Sequence, residues 1–191
     1  MSVEIDDEDD EPRKKLRVDM RNQNRVIAYI QALSQVVLNI VSGNTTTNDQ
    51  SYRLIAATLS AFSEYLLEST FKIKRAATSA VRLIVTHGMT KLELGPADFE
   101  ENSGFQKVYL NLKYIISSRF VETRQMENSL SITRTVVEKL NLPEQLLGEL
   151  LVTVGAMKAE KWDYGAWTGC IGMFMTKMGR DFFKVLPMEL I

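Results

Sequence analysis

One cysteine and one histidine in 191 residues leave little equipment for chemistry. A lone Cys170 forbids an internal disulfide and suits a reducing compartment. Cys170 and His87 together cannot assemble a zinc site of the usual Cys/His kind within one chain. His87 precedes Gly88 on what reads as the last turn of a helix. A cation there complements the helix dipole, and no adjacent residue offers the partner that a catalytic imidazole needs. No Gly-x-x-x-x-Gly-Lys, Gly-x-Gly-x-x-Gly or Gly-x-Ser-x-Gly segment occurs. Asp98, Glu100 and Glu101 lie together, but between Gly-Pro and Gly they read as a solvated loop rather than a cation site. The expectation is a chain that is not an enzyme, with no cofactor and no metal.

Long apolar runs are also missing. The uncharged run Tyr164–Thr176 is 13 residues, and a span needs ~20. The longer uncharged stretch Val26–Asn48 is interrupted by Gln31, Ser34, Gln35 and Asn39. No membrane is expected. The first residues are acids rather than a basic stretch followed by an apolar one, so no secretory signal is read. Proline and glycine are sparse, at 4 and 10 residues, and no repeat appears.

What is present is helical periodicity. Val26, Ile30, Leu33, Val37 and Ile40 step by 4 and 3, which predicts a helix over 21–42. Ile55, Leu59, Phe62 and Leu66 predict a second over 50–68, and Ile73, Ala77, Ala80 and Ile84 a third over 70–88, closed by Gly88. After the breaker Gly95-Pro96, helices are expected over 105–122, over 127–140, from Pro143 onward, and over 162–185. These seven patterns, with no alternating strand, make an all-α fold: a compact multi-helix bundle, one unit or two lobes sharing a core. The boundaries read as a leader (1–18), an N-terminal lobe (19–94), a linker (95–104) and a C-terminal lobe (105–191). Paired helices of this length resemble HEAT or armadillo units, yet no self-similar period recurs, which ranks a bundle above a solenoid.

The leader is of another kind. Glu4, Asp6–Asp10 and Glu11 form a block of like charge with little to bury, read as disordered. Arg13, Lys14, Lys15 and Arg17 follow, and Lys14-Lys15-Leu16-Arg17 resembles the Lys-Lys-x-Arg core of a nuclear import signal. That resemblance implies an importin as a partner and a nuclear or cytoplasmic location.

Two further segments stand out. From Ser69 to Lys91 there is no Asp or Glu, while Lys72, Lys74, Arg75 and Arg82 fall within one helix. Its solvent side is therefore either a plain hydrated face or a contact for phosphates or an acidic partner. Arg119, Arg124 and Arg134 extend that patch if the two lobes face one another. Beyond residue 19 the chain carries 19 basic and 16 acidic residues, a balance of only +3, too small for a dedicated nucleic-acid binder. The second segment, 162–175, gathers both tryptophans, three glycines and two methionines. Three glycines suggest close helix approach or a hinge. Trp162, Tyr164 and Trp167 are candidates for a partner surface, the alternative being internal packing. The favoured expectation is a non-enzymatic assembly or adaptor protein that binds protein partners, itself included. A small nucleocapsid-type or other nucleic-acid-binding protein, a viral structural protein for example, is the second reading.

Overall fold

The computed structural model describes residues 11–43, 47–68, 70–117, 126–157 and 164–185. Among them every regular element is helical. Helix α1 is Glu11–Ser42, α2 Asn48–Glu68, α3 Phe71–Leu83, α4 Gly104–Ile116, α5 Met126–Lys139, α6 Glu144–Gly155, α7 Tyr164–Met178 and the short α8 Phe182–Val185. The fold is the all-helical bundle that the periodicities predict. Helix α1 begins at Glu11, inside the stretch read as the leader; residues 1–10 lie outside the described residues.

The buried residues are those of the apolar stripes. Ile30, Val37 and Val41 of α1, Ile55, Leu59 and Phe62 of α2, and Ile73, Ala77 and Ile84 after them are all below one-tenth exposed. Their spacing puts them on one side of each helix, so burying that side removes the apolar area from water at once. The stretch Met20–Ser42 is long and apolar enough to cross a membrane by length and composition. Here its Ile30, Val37 and Val41 belong to the same core as α2 and α3.

Packing alternates between two layers. In one, α1 touches α3, α3 touches α5 and α5 touches α7; in the other, α2 touches α4 and α4 touches α6. Neighbours within a layer run the same way. Asp49 meets Gly104 at the starts of α2 and α4, and one to two turns on the Asn111 amide donates to the Ala56 carbonyl at 2.9 Å. Ser42 at the end of α1 receives a bond from Lys91 at 2.9 Å, just past α3. Consecutive helices therefore run antiparallel, as short connections demand, and the bundle is a stack of helix pairs. One continuous core extends from Ile30 to Phe182, on both sides of residues 95–104.

Several helix ends differ from expectation, among them α4, which stops at Ile116 instead of running to 122 because Ser117 turns extended. Gly88 does not cap α3: it keeps right-handed geometry with φ −93°. The chain passes through a π-turn, Ile84–Gly88, and a 3₁₀ turn to Lys91 before Leu92 becomes extended. The wide turn buries both Ile84 and Val85 and sets Gly88 against Leu38. Pro143 is the residue before the first turn of α6 rather than in it. The helix expected to run to residue 185 is broken: α7 ends at Met178, because Gly179 takes φ +59°, a left-handed value that glycine adopts without steric cost.

Candidate functional site

The basic segment becomes the outer face of α3. Lys72, Arg75 and Arg82 are exposed and Lys74 is half-buried, while Ile73, Ala77, Ala80 and Val81 face inward. Lys72, Arg75, Ser79 and Arg82 recur at the helical period, so they form one stripe. Arg82, at its end, is anchored: its Nε donates to the Thr135 hydroxyl of α5 at 3.0 Å. Arg134, one residue earlier on α5, is also exposed, and its Nε donates to the Met173 sulfur of α7 at 3.4 Å. Arg82 and Arg134 thus line one groove of about 340 Å³, together with Glu127, Ser131, Thr135 and Glu138 of α5. The structure unites Arg134 with the basic helix; Arg119 and Arg124 lie outside the described residues.

Charge around this groove is mixed. Glu138 pairs with Lys139 at 2.7 Å, and that bond is the main reason its carboxyl lies below the usual range. Arg134 and Arg82 lower it further through their charge. Neither arginine forms an ion pair with a carboxylate among the described residues.

The second segment forms α7. Tyr164 is exposed and stacks on Trp167, ring centres 6.0 Å apart. Trp167 is half-buried, its indole N–H bonded to the Val154 carbonyl of α6 at 3.0 Å. It straddles the α6–α7 seam, with one edge available to solvent. Trp162 lies outside the described residues. The three glycines of α7 are not at a close approach to any other described residue. Among the described residues, a Cβ at Gly165, Gly169 or Gly172 would have no atom within 4 Å. They lie on the outward side, with Thr176 and the half-exposed Met175 beside them.

Catalytic candidates find no constellation among the described residues. His87 is exposed and forms no ion pair there. Cys170 is buried, and its thiol is pushed up to about 12 by burial, with Arg134 pulling the other way, so it stays protonated. Asp98 is committed to the backbone: its Oδ2 accepts the Gly95 N–H at 2.8 Å. No group of three His, Cys, Asp or Glu among the described residues is placed to hold a metal.

The import candidates Arg13, Lys14, Lys15 and Arg17 fall in the backbone of the first turns of α1; their side chains lie outside the described residues. Sequence reasoning missed the anchoring hydroxyl of Thr135 and the role of Ser131 and Glu138, because they join Arg82 only across an interhelical contact 53 residues away in sequence. No protein family, no curated protein and no solved structure matches this chain.

Proposed function

We propose that this chain is a non-enzymatic helical assembly or adaptor protein that acts through protein contacts. The observation that carries this reading is the outward face of α7. From Tyr164 to Thr176 it has no charge, Tyr164 and Met175 are about half-exposed, and no described residue stands above its three glycines. Solvated helix faces are polar, whereas interface cores are poor in charge and rich in aromatic residues and methionine. A glycine-lined face admits another helix closely. The leader's Arg13, Lys14, Lys15 and Arg17 support nuclear import by an importin as part of the same reading.

A second reading, a nucleic-acid-binding protein of nucleocapsid type, is favoured by one observation: the Lys72, Arg75 and Arg82 stripe extended by Arg134. One purification separates the two. Native mass spectrometry of the full chain from its own cells, with the 260/280 nm absorbance ratio, is expected to show protein-only complexes. Those complexes are expected to be lost in Gly169→Glu while helicity by circular dichroism is kept. Nucleic acid that stays bound at low salt and leaves as salt rises would overturn the first reading in favour of the second.

A further inference from the structure

We infer that the groove between α3 and α5 is a recognition site for a phosphorylated serine or threonine carried on a peptide segment with basic flanks. This rests on the protein-contact reading above and names a class of partner for it.

The argument begins with how the two guanidinium groups are held. Arg82 and Arg134 come from different helices, and each spends its Nε on a neutral acceptor, the Thr135 hydroxyl and the Met173 sulfur. Those bonds fix the planes of the groups and leave the terminal N–H forks without a carboxylate among the described residues. Two pre-oriented forks facing one groove suit the tetrahedral oxygens of a phosphate, which guanidinium binds in a bidentate way. Ser131 places a hydroxyl on the same wall, while the Thr135 hydroxyl is taken up in holding Arg82 and donating to the Ser131 carbonyl at 3.0 Å. A volume of about 340 Å³ is at the small end of ligand clefts, roughly 300–1,000 Å³. It fits one phosphorylated side chain better than a large ligand.

The carboxylates decide what carries the phosphate. Glu127 and Glu138 line the same groove, and Glu138 lies close enough to both arginines to feel their charge. A nucleic-acid backbone brings a phosphate every few ångströms, so neighbouring phosphates would meet these carboxylates and be repelled. A single phosphate with lysine or arginine on either side meets the opposite pattern. Its anion faces the two arginines and its flanking cations face Glu127 and Glu138. Like-charge contact against the wrong partner gives specificity here as much as attraction to the right one does.

The test is fluorescence anisotropy of the full chain with four probes. They are a phosphoserine peptide with arginine flanks, its unphosphorylated form, a phosphoserine peptide with glutamate flanks, and a single-stranded RNA of similar length. The first is expected to bind at least about tenfold more tightly than each of the others, the scale of charge-assisted hydrogen bonds. Arg82→Gln and Arg134→Gln are each expected to cost about tenfold or more, with Arg82→Lys recovering only part because it lacks the fork. Glu138→Gln should narrow the gap between basic and acidic flanks. All three positions are exposed, and circular dichroism checks that the variants fold. Equal binding of phosphorylated and unphosphorylated peptide would overturn the inference, as would tighter binding of RNA. Binding of none of the four probes would overturn it too, yet protein-only complexes lost in Gly169→Glu would still support the adaptor reading.

Discussion

Replacing Gly104 with alanine separates two opposite expectations. Gly104 is the first residue of α4, where alanine is the better helix former by up to ~1 kcal/mol. On that ground alone the variant gains stability. The structure says otherwise. A Cβ on Gly104 would lie 2.5 Å from the Asp49 carbonyl oxygen and 2.9 Å from the Tyr52 Cβ. Packed carbons sit ~3.5–4.0 Å apart, so α2 and α4 would have to part by about 0.6 Å or more at this point. The contacts that suffer are the Gly104 N–H to Asp49 carboxylate bond, 2.6 Å, and the edge-to-face pair of Tyr52 and Phe105, ring centres 5.4 Å apart. Overpacking costs ~1–3 kcal/mol and the aromatic pair contributes ~0.5–1.5 kcal/mol. After the propensity gain is allowed for, the expected loss is about 1–4 kcal/mol. For a chain of this size that lowers the melting temperature by several degrees, up to about 15 °C. Urea denaturation followed by circular dichroism reads the difference directly. A Gly104→Ala protein as stable as the parent, or more so, would refute the close approach as the reason for glycine here.

Gly169→Ala is the matched control: with no described residue within 4 Å of its Cβ position, it is expected to gain ~0.4–1 kcal/mol, and a loss would show that the outward face of α7 is covered. Trp167→Ala removes a half-buried ring and its bond to Val154, so urea unfolding should show a loss of about 2–4 kcal/mol, toward the low end of core aromatic truncations; an unchanged midpoint would put the ring wholly on the surface. The double variant Lys72→Gln, Arg75→Gln touches only exposed side chains and should move stability by less than ~0.5 kcal/mol, a larger drop in the urea midpoint marking a structural role for these cations. Asp49 is held below its usual value first by the Arg53 bond and then by the Gly104 N–H; the unfolded chain therefore binds the proton more readily, and stability present above about pH 4 is lost as pH falls through the lowered value. Asp49→Asn should flatten that acid limb of the urea midpoint, and an unchanged slope would count against the pairing.

The helices were legible because their cause is local. An apolar residue every three or four positions dictates which side of each helix leaves water, and the buried sets around Ile30, Ile55 and Ile73 follow the sequence spacing. The break at Gly95-Pro96 was equally plain, since proline cannot continue the hydrogen-bond ladder. Lys72, Arg75 and Arg82 were visible as a stripe for the same reason of period.

Glycine shows where local reasoning stops. By itself the residue says only that a side chain is absent, and two opposite causes produce the same letter. Gly104 is glycine because α2 presses against it, whereas Gly165, Gly169 and Gly172 face no other described residue. Gly88, expected to close a helix, instead lies inside a π-turn against Leu38. The two-layer stacking was hidden as well. Its helix pairs differ in length, from 32 and 21 residues in α1 and α2 to 13 each in α3 and α4, with π and 3₁₀ turns and a loop between the latter two. Amphipathic periodicity thus determined which surfaces are buried in this chain. The partner against which each surface is buried, and with it the meeting of Arg82 and Arg134 across α3 and α5, was decided only by tertiary packing, because contacts between distant residues depend on how whole helices fit and leave no period in the sequence.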